Sequence, residues 1–137
     1  MISLLLILQV GSMIEMSDFS DGIIHRYTIS DLNGKQILKT QIVINASTTR
    51  EEIISGCRQL QNEGVSLTFD KLTIRRSLFG ILGRSRVSYA KGKIEMPNGD
   101  HDIFEVGGTF NFRYLKIYYS QIKNSNDFTL EMVEIIE

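Results

Sequence analysis

Hydrophobic and polar residues alternate with the period of a β-strand over most of this chain. Residues 23–30 and 36–44 form two runs that are rich in β-branched and aromatic side chains. Asn33 and Gly34 lie between the runs and predict the turn of a β-hairpin, because both residue types tolerate positive φ. From Val65 towards the C-terminus the period of two continues, so most of the chain is predicted to form strands.

Interruptions of this alternation predict where the later strands bend and end. The apolar phase slips near Asp70-Lys71, which indicates a β-bulge, and it slips again near Gly92. Residues 97–100, Pro-Asn-Gly-Asp, predict a turn. The strand after this turn is expected to reach residue 114 with one continuous apolar face, formed by Phe104, Val106, Gly108, Phe110, Phe112 and Tyr114.

One segment has the period of an α-helix instead. Thr48 and Thr49 each precede a glutamate by three residues, so either pair can form a capping box. Four apolar residues then fall on one helical face: Ile53, Ile54, Cys57 and Leu60. The pattern predicts an amphipathic helix over about residues 48–62 that packs on a sheet.

Together these elements predict an α+β fold. The expected architecture is a curved antiparallel sheet or half-barrel of about six to eight strands, packed on the single helix. A length of 137 residues fits one domain, residues 1–137, with a core of its own. Residues 1–12 either belong to this domain or are an N-terminal extension or a fused segment, because Gly11-Ser12-Met13 resembles a fusion junction.

The first ten residues are almost entirely apolar. They are too short to span a bilayer, which needs about 20 apolar residues, and no basic residue precedes Arg26. A buried strand or short packed helix is the favoured interpretation. The alternatives are an apolar segment that packs on a second copy, which would make a homodimer, and a vestigial export signal.

Composition indicates the cellular location and origin of the protein more than it indicates the function. The net charge is −1, and 42% of the residues are apolar, as in ordinary globular proteins. A single cysteine, Cys57, leaves no intramolecular disulfide and predicts a reducing, cytoplasmic location. The 19 isoleucines are consistent with strand-rich structure and with an AT-rich genome, hence a bacterial or phage origin.

Charge is strongly segregated along the chain. Between positions 71 and 94 there are seven basic residues and no acidic one: Lys71, Arg75, Arg76, Arg84, Arg86, Lys91 and Lys93. These flank an apolar stretch that contains Phe79. A solvated sheet face, with Lys91 and Lys93 paired to Asp100, Asp102 and Glu105 across the turn at 97–100, is the simplest interpretation. The functional alternatives are a surface for a protein partner, formed by Arg75, Arg76, Phe79, Arg84 and Arg86, and a site for nucleic acid or another polyanion.

The last strand carries the opposite charge. Its candidate partner-binding residues are Asp127, Glu131 and Glu134, with Glu137 beyond them. Carboxylates on one strand can face a cationic partner, as in proteins that neutralise nuclease toxins, because complementary charge speeds association. A solvated edge strand that is protected from aggregation by its charge is the simpler alternative.

Catalytic and metal chemistry has little support, and no catalytic residue, metal or cofactor is assigned. His25 and His101 are the only imidazoles, and Cys57 on an apolar helix face is expected to behave as a small hydrophobe. Nucleophile-elbow, P-loop and dinucleotide-binding patterns are absent from the sequence. A turn pair, Asp100 and Asp102, and two glycines, Gly80 and Gly83, are weak signals for a cation and a phosphate respectively.

The first functional hypothesis is therefore a small, non-enzymatic protein-binding module of bacterial or phage origin. Its concrete version is a toxin-neutralising immunity protein that acts through a charged surface. The alternative is binding of nucleic acid or another polyanion through the basic segment. A second alternative is a ligand-binding or enzymatic half-barrel with a pocket lined by Phe104, Phe110, Phe112 and Tyr114.

Overall fold

The computed structural model describes residues 12–76, 85–107 and 113–137 of the chain. These ranges contain eight strands and one helix. The strands are β1 (Ser12–Asp21), β2 (Ile24–Asp31), β3 (Gln36–Asn45), β4 (Ser66–Arg76), β5 (Ser85–Glu95), β6 (His101–Gly107), β7 (Tyr114–Ile122) and β8 (Phe128–Ile136). The helix, α1, spans Arg50–Asn62 between β3 and β4.

The strands form two antiparallel sheets. The larger sheet has the order β1-β2-β3-β7-β8, and the smaller has the order β4-β5-β6. Every strand pairing is antiparallel. The predicted α+β class, with antiparallel strands and a single helix in the described ranges, is confirmed. The half-barrel shape stays a prediction, because the strands are divided over two hydrogen-bonded sheets.

The hairpin of β2 and β3 closes where the sequence predicts it. Gly34 adopts a φ of +77°, and its amide donates to the Asp31 carbonyl over 3.1 Å. The Asp31 carboxylate accepts hydrogen bonds from the amides of Asn33 and Lys35 at 3.0 and 2.8 Å. An aspartate that bonds to amides following it stabilises a tight turn, so this local sequence forms the hairpin.

Helix α1 begins at one of the two predicted capping boxes. The Thr49 hydroxyl accepts from the Glu52 amide at 3.2 Å, and the Glu52 carboxylate accepts from the Thr49 amide at 3.2 Å. Thr48 has another role, since its hydroxyl accepts a hydrogen bond from the Asn45 amide before the helix. The buried helical face contains Ile53, Gly56 and Leu60, whereas Ile54, predicted on that face, is 45% exposed.

Both sheets and α1 enclose one hydrophobic core. It includes Ile24, Ile42 and Ile117 from the larger sheet, and Ile94 and Val106 from the smaller. The two sheets also meet through polar contacts, because the Asn98 amide group donates to the Phe128 carbonyl at 2.9 Å. The Gly107 amide donates to the Glu137 carboxylate at 3.0 Å. Among the described residues, no helix is both long and apolar enough to cross a membrane.

A polar pair joins the end of α1 to the larger sheet. Arg26 on β2 forms an ion pair with Glu63, which caps the C-terminus of the helix. Arg26, Thr40 and Tyr119 occupy one cross-strand row of β2, β3 and β7. Burial raises the pKa of Tyr119 to about 12, the charge of Glu63 contributes to the rise, and Arg26 opposes it.

The bulge predicted near Asp70 is present. The pairing of β4 with β5 shifts register between Phe69 and Lys71, opposite Gly92. A Cβ atom on Gly92 would lie 2.0 Å from the Thr68 carbonyl oxygen and 2.9 Å from the Phe104 ring. Only glycine therefore permits this close approach of β4, β5 and the Phe104 side chain.

Two features of the topology differ from the prediction. The single strand expected to run to Tyr114 is wrong, because β6 lies in the smaller sheet and β7 in the larger. Phe104 is buried whereas Tyr114 is 39% exposed, so the two do not share one apolar face. Phe110 and Phe112 lie outside the described residues. Strand β1, whose first residue Ser12 pairs with Asp31, follows the residues 1–10 for which the sequence allows an N-terminal strand.

Of residues 1–12, which either belong to the domain or form an extension or fused segment, only Ser12 lies in the described ranges. Residues 1–11 are not among them, so the strand, helix, second-copy and export-signal interpretations stay predictions.

Replacement of Gly92 by alanine should destabilise the fold strongly. The added Cβ collides with backbone as well as with a buried ring, so we expect a loss of at least about 2 kcal/mol in the free energy of unfolding. Gly34→Ala is the control, because nothing lies within 4 Å of its Cβ position and only the positive φ opposes the change. Urea denaturation of both variants measures the difference, and equal losses would contradict the close-approach explanation.

Tyr119 should make stability depend on alkaline pH. Between about pH 10 and about pH 12 the unfolded chain loses the phenolic proton while the folded protein retains it, so the free energy of unfolding falls as pH rises. Tyr119→Phe should flatten this fall, which urea denaturation across the same pH window measures. An identical fall in both proteins would show that Tyr119 does not carry the effect.

Candidate functional site

The solvent side of the smaller sheet carries a cluster of cations that we call the basic face. Its members are Lys71 and Arg75 on β4, and Arg86, Tyr89, Lys91 and Lys93 on β5. The opposite side of the same strands supplies Leu67, Val87 and Ile94 to the core. Side chains alternate between the two faces of a strand, and the register shift between Thr73 and Ile74 lets Val87 face the core although Tyr89 and Lys91 face outward. Burial of the apolar set therefore directs the basic set to solvent.

Like charges face each other across the two strands. Lys71 is the register partner of Lys91, and Arg75 is the register partner of Arg86. All four side chains are exposed. Directly opposed side chains have Cβ atoms only about 5 Å apart, and like charges at that distance destabilise a sheet. No ion pair joins Lys71, Lys91, Arg75 or Arg86 to a carboxylate among the described side chains.

Tyr89 lies between the two like-charged pairs. The Lys71 ammonium group is 5.6 Å from the centre of the Tyr89 ring, within the range of a cation–π contact. The Tyr89 hydroxyl donates a hydrogen bond to Glu105 on β6, and this contact raises the pKa of Tyr89. A shallow depression on this surface is lined by Lys71, Thr73, Arg75, Ser88 and Tyr89. The face thus combines cations with an anchored aromatic ring.

Among the described residues, Lys91 and Lys93 do not form the ion pairs predicted with Asp100, Asp102 and Glu105. Lys93 lies 3.6 Å from Glu95 on its own strand, and both side chains are nearly half exposed. Lys91 is the register partner of Glu105, but the Glu105 carboxylate accepts from Tyr89. Neither lysine forms an ion pair with Asp100 or Asp102 among the described residues.

The structure brings together only part of the predicted set of partner-binding residues. Arg75 and Arg86 are adjacent on the basic face. Arg76 pairs with Ser85 through the backbone at the end of β4. Phe79 and Arg84 lie outside the described residues, as do Gly80 and Gly83.

The acidic C-terminal strand is largely engaged within the molecule. Glu131 forms an ion pair with Lys39 on β3. The Tyr118 hydroxyl donates to Glu134 over 3.4 Å, and the Glu137 carboxylate accepts from the Gly107 amide. Asp127 is exposed in the turn before β8. The carboxylates of β8 therefore help to hold β3, β7 and β6 in place, and fewer of them are free to face a partner.

A groove separates α1 from β4, and the sequence did not point to it. Its volume is about 600 Å³. Apolar side chains line it from both elements, and Arg50 and Arg58 lie among the lining residues: Arg50, Ile53, Ile54, Cys57, Arg58, Gln61, Gly64, Val65, Ser66, Leu67, Thr68, Phe69 and Leu72. Exposure of Ile54 on an otherwise amphipathic helix follows from its position beside this groove.

The two histidines and Cys57, whose chemistry could serve catalysis, lie on three different elements. Cys57 lies in the groove, where burial raises the pKa of its thiol, and no histidine is among the groove's described lining residues. His101 is exposed at the start of β6, with its Nδ1 atom 3.1 Å from the Gly99 carbonyl. His25 lies on β2 and is half-buried. Within the described ranges, no three metal-ligating side chains come together.

Comparisons of the whole chain with protein-family models, with curated proteins and with solved structures find no match. Function is therefore inferred from the basic face and the groove beside it.

Reversing one charge of a like-charged pair should stabilise the fold. Arg86→Glu places a carboxylate opposite Arg75, so we expect the free energy of unfolding to rise by about 0.5 kcal/mol at low salt and the gain to shrink at high salt. Denaturation with urea measures both values. Lys123→Glu, an equal charge reversal at an exposed position away from this sheet, is the control. A gain in the control alone would show that no repulsion exists across β4 and β5.

Proposed function

We propose that this protein is a non-enzymatic binding module that holds an acidic segment of a protein partner on the basic face. One observation carries the proposal: two like-charged pairs, Lys71 with Lys91 and Arg75 with Arg86, stand opposed and exposed on neighbouring strands. Their repulsion opposes folding, so folding alone does not explain their placement. An anionic partner would neutralise these positive charges. Relief of their repulsion would then contribute to the binding affinity.

The chemistry of the face favours a protein over a nucleic acid. Arginine and tyrosine are among the side chains that contribute most to protein interfaces, and Ile103, the register partner of Lys93 on β6, is 72% exposed. The chain as a whole has a net charge of −1, whereas nucleic-acid-binding domains are usually basic. Nucleic acid is therefore the second candidate.

The basic face is also a better candidate than the acidic strand. Glu131 and Glu134 already contact Lys39 and Tyr118, so a cationic partner would have to displace these contacts. Arg75 and Arg86 have no such contacts to lose among the described side chains. A toxin-neutralising role remains compatible with the proposal if the neutralised protein presents carboxylates. We place this role in a bacterial or phage-infected cytoplasm, with Cys57 as the chain's only thiol.

Binding of two labelled polyanions tests the proposal. The probes are a short poly-L-glutamate and an oligothymidylate of equal length, followed by fluorescence anisotropy at low and moderate salt. The Arg75→Ala/Arg86→Ala variant should bind poly-L-glutamate about tenfold more weakly, which is about 1.4 kcal/mol. Lys35→Ala/Lys123→Ala removes the same charge at exposed positions elsewhere and should bind as the parent protein does.

Three outcomes would contradict the proposal. Tighter, salt-sensitive binding of the oligothymidylate that depends on the same two arginines would favour nucleic acid. Equally weakened binding of poly-L-glutamate in both double variants would show that binding depends on the overall charge of the protein and not on the basic face. Absence of binding to either probe at low salt would remove the basic face as a site.

A further inference from the structure

The edge of β4 offers a second set of contacts beside the basic face. Among the described residues β4 pairs with β5 alone, so it is an edge strand of the smaller sheet. The outer edge of such a strand presents backbone amide and carbonyl groups that can pair with another chain. The groove between α1 and β4 runs along this strand, because its lining includes successive β4 residues from Ser66 to Phe69.

We infer that β4 receives an extended acidic segment of the partner as an added β-strand, with alternate apolar side chains of that segment in the groove. This inference rests on the proposed function and specifies how the partner is held. Addition of a strand to a sheet edge is a common mode of peptide recognition, in which backbone hydrogen bonds supply affinity and alternate side chains supply specificity.

The two sides of β4 dictate the pattern of the bound segment. On the inner side, the groove presents Ile54, which is 45% exposed, and the half-buried Phe69 and Leu72 as an apolar surface. On the outer side, β4 carries Lys71 and Arg75. Side chains of an added strand alternate between the same two sides. A segment that alternates apolar and acidic residues would therefore fill the groove and neutralise the basic face together.

The dimensions and the rim of the groove fit such a segment. Helix α1 has 13 residues and is about 20 Å long, which matches an extended strand of about six residues. Arg50 and Arg58 on α1 lie among the lining residues and add positive charge on the side opposite β4. Carboxylates at the ends of the bound segment would meet these guanidinium groups.

Other segments fit less well. A second copy that paired through its own β4 would bring Lys71 and Arg75 of both chains together, which like charge opposes. Residues 1–10 of this chain contain no acidic residue, so they lack the required alternation.

A synthetic peptide of about seven residues that alternates Glu and Val tests the inference. We expect it to bind, and to slow alkylation of Cys57, the only thiol of the chain, at least about fivefold when bound in excess. A peptide of the same composition with its Glu and Val residues in two blocks should bind more weakly. Ile54→Glu should weaken binding of the alternating peptide, whereas Leu32→Glu, an equally drastic change in the exposed β2–β3 turn, should not.

Methylation of the peptide backbone distinguishes strand addition from simple charge attraction. One peptide carries N-methyl groups on its odd amides, and another carries them on its even amides. An added strand uses the amides of only one edge to pair with β4. One methylated peptide should therefore lose binding while the other retains it.

Specific results would overturn the inference and leave the proposed function intact. These are equal binding of both methylated peptides, equal binding of the blocked peptide, or unchanged alkylation of Cys57, while poly-L-glutamate still requires Arg75 and Arg86. If sedimentation shows a dimer in which Cys57 is protected without peptide, a second copy occupies the groove and the inference is wrong. If neither the alternating peptide nor poly-L-glutamate binds, both proposals fail.

Discussion

Burial of one hydrophobic core between two sheets and helix α1 is the constraint on which the rest of this structure depends. Each sheet contributes one face to that core, and the core residues lie at alternate positions of their strands. Once Leu67, Ala90 and Ile94 are committed to the core, the residues on the opposite side of β4 and β5 must face solvent. The cations of the basic face are exposed for this reason. Their proposed function depends on the partner that they would bind at this surface.

The bulge at Phe69 and Lys71 sets which residues reach the basic face. A shift of one residue in the pairing of β4 with β5 would exchange the buried and exposed sides of β4. With the bulge, Leu67 faces the core before it and Ile74 packs against the core after it, while Lys71 and Arg75 face outward. Gly92 permits the bulge because a side chain there would strike the backbone of β4. A backbone requirement of folding and the arrangement of the proposed site are thus coupled at one position.

The groove and the basic face share β4, so one bound segment could contact both of them, and the proposed function depends on this arrangement. A flat cationic surface attracts anions but selects poorly among them. An adjacent apolar groove and a strand edge that is unpaired among the described residues add shape and backbone direction, which together would distinguish one acidic segment from another. The acidic strand β8 has a different role, because Glu131 and Glu134 stabilise contacts inside the larger sheet.

Local sequence determined several parts of this structure. The Asn33-Gly34 turn, the Thr49–Glu52 capping box and the bulge beside Asp70 depend on residues close together in the chain, so propensity and period predict them. The exposure of Arg75 and Arg86 follows from the same alternation. Only the tertiary structure decided that β6 and β7 belong to different sheets, that β1 joins the larger one, and that α1 leaves a groove beside β4. These features depend on strand pairing and packing between segments that are distant in the sequence. A local pattern of residues does not determine the energies of such contacts.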